Sequence, residues 1–284
     1  MTLTEKRIKT LSRGVSSTVA KLQEEVSPKR VHRLRTTIRR IQSVIDYSRP
    51  KLSRKQQDAL DDMSRLRRRA GKVRDLDIQI SLLNSLGNGS TTADRRTLQE
   101  ALRDKRDRQA GRLAAAARKL ERSNLAGHLG RLVIAVSDSV AANNEPDAPL
   151  RRAQTQIADL AGQCGSQPQL KPKRLHEVRI AFKMVRYLAE LSEESEEQQR
   201  LLQQLKAVQD TLGEWHDWEE LSRTAEKQFS QRANCAVLVE VRALYAARHA
   251  AALSAVSQLF TQYAAVPARK QPRSVPSRAL AQRA

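Results

Sequence analysis

The sequence predicts an all-α protein built from bundles of long antiparallel helices. Three observations carry that expectation. Ala, Leu, Arg, Gln and Glu dominate, and all are good helix formers. Glycine (10) and proline (9) are scarce in 284 residues and gather near boundaries. Apolar residues recur at helical spacing, while strand-like alternation is nearly absent. An apolar fraction of 39% is enough to bury a core in a chain of this length.

The elements follow in order. Ser27 and Pro28 have the form of an N-cap and a first-turn proline. Behind them Val31, Leu34, Ile38, Ile41 and Ile45 recur at i, i+3, i+7, i+10 and i+14, the apolar seam of one helix. "YSRPKLS" (47–53) closes that helix and opens a long one over about 53–86, with Gly71 as a candidate kink. "GNGSTTAD" (87–94) reads as a loop before a helix over about 92–122, and "RSNLAGHLG" (122–130) as a further break. "NNEPDAP" (143–149) is the clearest internal linker. Residues 266–284 hold three prolines, five basic residues and no acid, the composition of a disordered basic tail. The expected organisation is a first helical bundle over 1–142, the linker 143–149, a second bundle over 150–265, and the tail.

Charge narrows the partners. Lys and Arg number 52 against 31 Asp and Glu, a net charge of +21. Residues 1–150 carry 32 basic and 17 acidic residues, and residues 151–284 carry 20 and 14. Such a surplus attracts polyanions. Cys164 and Cys235 have no motif spacing and read as small packed residues of a reducing compartment. No apolar run approaches the ~20 residues of a membrane span. The first nine residues include Glu5, Lys6, Arg7 and Lys9, with no apolar signal core behind them. The default is a soluble cytoplasmic protein.

The chain repeats itself. "VHRLRTTIRRIQ" at 31 is echoed by "LHEVRIAFKMVR" at 175, so that His32 matches His176, Arg35 matches Arg179 and Arg39 matches Lys183, an offset of 144. The apolar seam matches too: Val31, Leu34, Ile38 and Ile41 against Leu175, Val178, Phe182 and Val185. A second pair follows in the same order: "LRRRAGKVRDLD" (66–77) and "VQDTLGEWHDWE" (208–219), offset 142. There Gly71 matches Gly213 and Asp75 matches Asp217.

The pattern H-x-x-R-x-x-x-[RK], present twice, with G-x-x-R-D-x-D after the first copy and Q-D-x-L-G-x-x-H-D after the second, resembles the CHAD family, the conserved histidine α-helical domain. The resemblance covers roughly residues 5–262. It implies two pseudo-symmetric four-helix bundles whose basic faces meet at a central groove that binds inorganic polyphosphate. Such a ligand is compatible with association with polyphosphate or storage granules, with chain protection, and with delivery to an enzyme. Gln42 and Met184 depart from the family pattern, standing where another Arg or Lys is usual.

The residues support an anionic ligand independently. At about 100° per residue, His32, Arg35 and Arg39 fall within about 60° of one another, and His176, Arg179, Lys183 and Arg186 within about 80°. Each stripe runs some 10–15 Å beside its seam, at ~1.5 Å rise per residue. That length suits an extended polyanion. No acid interrupts Lys29–Arg40, whereas a merely solvated helix usually mixes signs. Phe, Trp and Tyr make up only 3% of residues, so stacking platforms for single-stranded nucleic acid are few. No helix-turn-helix or zinc-finger pattern is present. Phosphates without bases fit best, with non-specific nucleic acid as the alternative partner.

The candidate polyphosphate-binding residues are therefore His32, Arg35, Arg39 and Arg40 in the first copy and His176, Arg179, Lys183 and Arg186 in the second. Arg67, Arg74 and Lys206, on the helices that follow, rank behind them. The histidines read as phosphate-facing donors whose charged form a polyanion favours, or as structural residues between helices. Metal ligation is disfavoured, because coordinating spacing is lacking and Arg35 and Arg179 would repel the ion. His216 in "EWHDWEE" reads as a local hydrogen-bonding or helix-capping residue, Trp215 and Trp218 as core, and Asp75 as a helix-start residue. No P-loop, G-x-S-x-G or metalloprotease motif is present. The expectation is a non-enzymatic binding protein without cofactor or catalytic residues. Its alternatives are a nucleic-acid-binding helical protein, or a polyphosphate- or phosphate-ester-processing enzyme or accessory.

Overall fold

The structure, a computed structural model, describes residues 3–87, 92–141, 148–165, 170–232 and 235–264. Among these residues stand nine α-helices and no strand: α1 (Leu3–Glu24), α2 (Pro28–Ser48), α3 (Arg54–Ser85), α4 (Thr92–Arg122), α5 (Leu125–Ala141), α6 (Ala148–Cys164), α7 (Pro172–Ala189), α8 (Glu196–Gln228) and α9 (Ala236–Ala264). The class is all-α, as the sequence predicts. The tail at 266–284 lies outside the described residues, as do positions 88–91 of the expected loop and 143–147 of the expected linker. Ala148 and Pro149, the last two linker positions, already belong to α6.

Local chemistry explains the helix ends. Ser27 holds an extended N-cap conformation with Pro28 at the first turn. Arg49 closes α2 in the left-handed region (φ 45°) and its N–H donates to the Ile45 carbonyl at 2.8 Å. A capping box opens α3: the Ser53 hydroxyl accepts from the Gln56 N–H, and the Ser53 N–H donates to Gln56 Oε1 at 2.7 Å. α3 passes through Gly71 without interruption. The glycine costs about 1 kcal/mol of helix propensity, but buried Leu66, Ala70, Val73 and Leu76 hold the helix on either side. Between α4 and α5, Asn124 takes φ 57° and its Oδ1 accepts from the Gly127 N–H at 3.3 Å. A Cβ on Gly127 would lie 2.7 Å from that side chain, so a larger residue there would displace the Asn124 cap.

The described residues form two compact units. The first contains α1–α5, α8 from Glu214 and α9 up to Arg248; the second contains α6, α7, α8 up to Gly213 and α9 from His249. In the first, α1 packs on α2, α4 and α5, and α3 on α2 and α4. Ile8, Val15, Val19 and Leu22 of α1 and Val31, Leu34, Ile38 and Ile41 of α2 are fully buried. A further cluster joins Leu76 and Leu83 of α3, Leu98 and Leu102 of α4, Trp218 and Leu221 of α8, and Val237 and Val241 of α9. Arg106 ties α4 to its neighbours, meeting Asp77 at 3.0 Å and donating to the Val26 carbonyl at 2.6 Å.

In the second unit α6 packs on α7. Phe182 of α7 meets Phe260 of α9 edge to face, with ring centres 5.7 Å apart. Gln198, buried, donates to the carbonyls of Ala189 and Ser192 at 3.2 Å and so satisfies the end of α7. Both cysteines are free and half-buried. No helix among the described residues is long and apolar enough to cross a membrane.

Candidate functional site

The two expected stripes stand on α2 and α7. On α2 the seam residues Val31, Leu34, Ile38 and Ile41 are buried, while His32 is exposed and Arg35, Arg39 and Arg40 are half-buried beside them. On α7 Leu175, Val178, Phe182 and Val185 are buried, and His176, Arg179, Lys183 and Arg186 are half-buried. Each helix thus spends one face on packing and carries its cations along the adjoining edge. Burying the seam fixes the helix rotation, and the rotation fixes where the cations emerge.

Neighbouring helices supply polar partners. Arg35 Nη1 lies 3.6 Å from Asp75 Oδ1 of α3. Asp75 therefore sits in mid-helix, and the expectation of a helix-start residue is corrected: α3 begins at Arg54, so the backbone amides around Asp75 are already bonded within the helix. In the second unit Arg186 Nε lies 3.4 Å from Glu190 Oε1, and its Nη1 donates to Gln209 Oε1 at 3.4 Å. Gln209 Nε2 in turn donates to the Phe182 carbonyl at 2.7 Å. The Arg186–Glu190 pair was legible as an i,i+4 spacing; the Arg35–Asp75 and Arg186–Gln209 contacts depend on how two helices register.

The second-rank candidates scatter. Arg67 is buried at 5% exposure, Arg74 is half-buried, and Lys206 is exposed and paired with Asp210 at 2.8 Å. Gln42, in place of a cation, donates to Ser64 Oγ at 2.8 Å.

Trp215 and Trp218 are core, at 0% and 5% exposure. His216 lies within α8 and not at its end, so a capping role is corrected; its Nδ1 is 3.6 Å from Glu219 Oε2. His216, Glu219 and Glu220 bring ligand atoms within 4.8 Å of one another. Arg223 bridges the Oε1 atoms of Glu219 and Glu220 at 2.9 Å each, so both carboxylates already have a cationic partner within the chain.

An all-α chain with two matched cationic stripes, each on the edge of a helix anchored by a buried seam, is the class that fold and site define. The family model of the CHAD domain matches residues 13–226, and the chain belongs to that family. Among solved structures it is similar to the crystal structure of the CHAD domain from the plant Ricinus communis, with a TM-score of 0.65 and 18% identity, over 91% of this chain and 90% of that one. At that identity the likeness concerns the fold. No curated protein sequence matches this chain.

Proposed function

We propose that this protein binds inorganic polyphosphate without converting it, through the cationic stripes of α2 and α7. The observation that carries the reading is the repeat of one arrangement: a buried seam with a His, an Arg and a further cation at matched positions along its edge. A single basic helix face is usually only solvated. The same face on two helices of one chain, each held in rotation by packing, is what a repeating anion selects. The few aromatic residues favour phosphates without bases. His32 and His176 serve as donors whose protonated form the bound polyanion stabilises. A long polyphosphate chain is expected to engage both stripes.

A binding titration with long-chain polyphosphate, triphosphate and duplex DNA, each at two salt concentrations, tests it. Long chains are expected to bind far more tightly than triphosphate, with log affinity falling linearly in log salt. Equal affinity for triphosphate and long chains sinks the extended stripe. Duplex DNA that polyphosphate does not displace favours a nucleic-acid-binding protein, and release of phosphate favours an enzyme.

A further inference from the structure

The two repeats differ at one pair of positions in a reciprocal way. By the offset of the stripe helices (His32 to His176), Gln42 of α2 corresponds to Arg186 of α7. By the offset of the following helices (Gly71 to Gly213), Arg67 of α3 corresponds to Gln209 of α8. Each helix pair therefore carries one arginine and one glutamine at these places, on opposite helices.

The contacts give the exchange a physical setting. In the α7–α8 pair the two side chains meet, Arg186 donating to Gln209 at 3.4 Å. In the α2–α3 pair Gln42 donates to Ser64, one helical turn before Arg67. The two helices run antiparallel, since Arg35 meets Asp75 while Gln42 meets Ser64. Arg67 lies between these two contacts along α3. It is turned inward at 5% exposure, whereas Arg68 and Arg69 are exposed. A guanidinium stays charged at every ordinary pH.

We infer that Arg67 is the first repeat's counterpart of Arg186: an anion-attracting guanidinium supplied by α3 in place of residue 42 of α2. The inference rests on the polyphosphate reading and deepens it. Position 42 then leaves no deficit in the first repeat, because the same charge reaches the stripe from the neighbouring helix. Arg67 acts on the phosphates through its field from beneath the stripe, and Gln42 fills the space that an arginine occupies in the second repeat.

The test is an exchange experiment on the full chain. Long-chain polyphosphate is titrated against wild type, R67Q and Q42R/R67Q, and in the second repeat against R186Q and R186Q/Q209R. Loss of either arginine alone is expected to weaken binding by about three- to tenfold and to flatten the salt dependence by about 0.7–0.9 in log–log slope, the value of one cation. Each exchanged double variant should regain both affinity and slope. A merely structural Arg67 would change unfolding but not the slope. R67Q that folds and binds with wild-type affinity and slope overturns the inference. So does a folded Q42R/R67Q whose slope stays one cation short, a readout that holds even where R67Q alone fails to fold. Wild type that does not bind polyphosphate at all overturns the polyphosphate reading instead.

Discussion

Replacing Asp75 by Asn is expected to tighten polyphosphate binding. In the free protein the Asp75 carboxylate lies 3.6 Å from Arg35, with side-chain exposures of 41% and 21%. A phosphate bound on the outer edge of the same guanidinium would stand roughly 6–7 Å from that carboxylate, given the fork geometry of arginine. Two like charges at that distance repel by about 0.6 kcal/mol in bulk water and by about 2.5 kcal/mol at an effective dielectric near 20. Asp75 is substantially exposed, so the low end weighs more, and a net cost of about 1 kcal/mol follows, or about fivefold in affinity. Asp75→Asn removes the charge and keeps the shape. Titration with long-chain polyphosphate at ~0.05 M and ~0.3 M salt should show the gain at low salt and its shrinkage at high salt, where the Debye length falls below the separation. The lost surface ion pair should cost at most about 1 kcal/mol of folding stability, which a melting curve checks. An Asp75→Asn variant with an unchanged melt that binds no more tightly than wild type would mean that Arg35 does not face the ligand.

Three further outcomes follow from the packing. Asn124→Ala should destabilise the protein by about 1–2 kcal/mol, through loss of its cap to Gly127 and its positive φ, whereas Asn124→Gly should cost only a few tenths; chemical denaturation separates them. Trp215→Ala empties a fully buried site and should cost about 3–5 kcal/mol, read as a large drop in the unfolding midpoint. Burial holds the His249 imidazole below its ordinary pKa of 6.5, so the unfolded chain takes up that proton first. His249 therefore stabilises the fold above pH 6.5, and this contribution is lost as pH falls through its depressed folded value. Melting curves at pH 7.5 and 5.5 should show a smaller acid loss in His249→Gln than in wild type.

Much of the fold was legible because helix ends and seams are local. Ser27–Pro28, the opening of α3 at about residue 53 and the break over 122–130 are each set by a few neighbouring residues. Period alone identifies the buried seams of α2 and α7, since an apolar row at helical spacing has one stable use. The contacts between helices were not legible. Asp75 invited a helix-start reading because Gly71 precedes it, yet the buried residues around Gly71 outweigh the glycine's cost and carry α3 through. Its partnership with Arg35 depends on the register of α3 against α2, which no spacing within one helix encodes. The burial of Arg67 beside the exposed Arg68 and Arg69 depends likewise on the rotation of α3. Trp218 was recognisable as core, but its companions on α3, α4 and α9 come from segments far apart in the chain.

The stoichiometry of long-chain polyphosphate binding to wild type, Arg35→Ala/Arg39→Ala and Arg179→Ala/Lys183→Ala tests the central claim most directly. One chain per protein is predicted, with both double variants crippled to a similar degree despite the larger basic surplus of the first half (32 basic against 17 acidic residues, compared with 20 against 14). Two chains per protein, falling to one in either double variant with the remaining affinity intact, would contradict it.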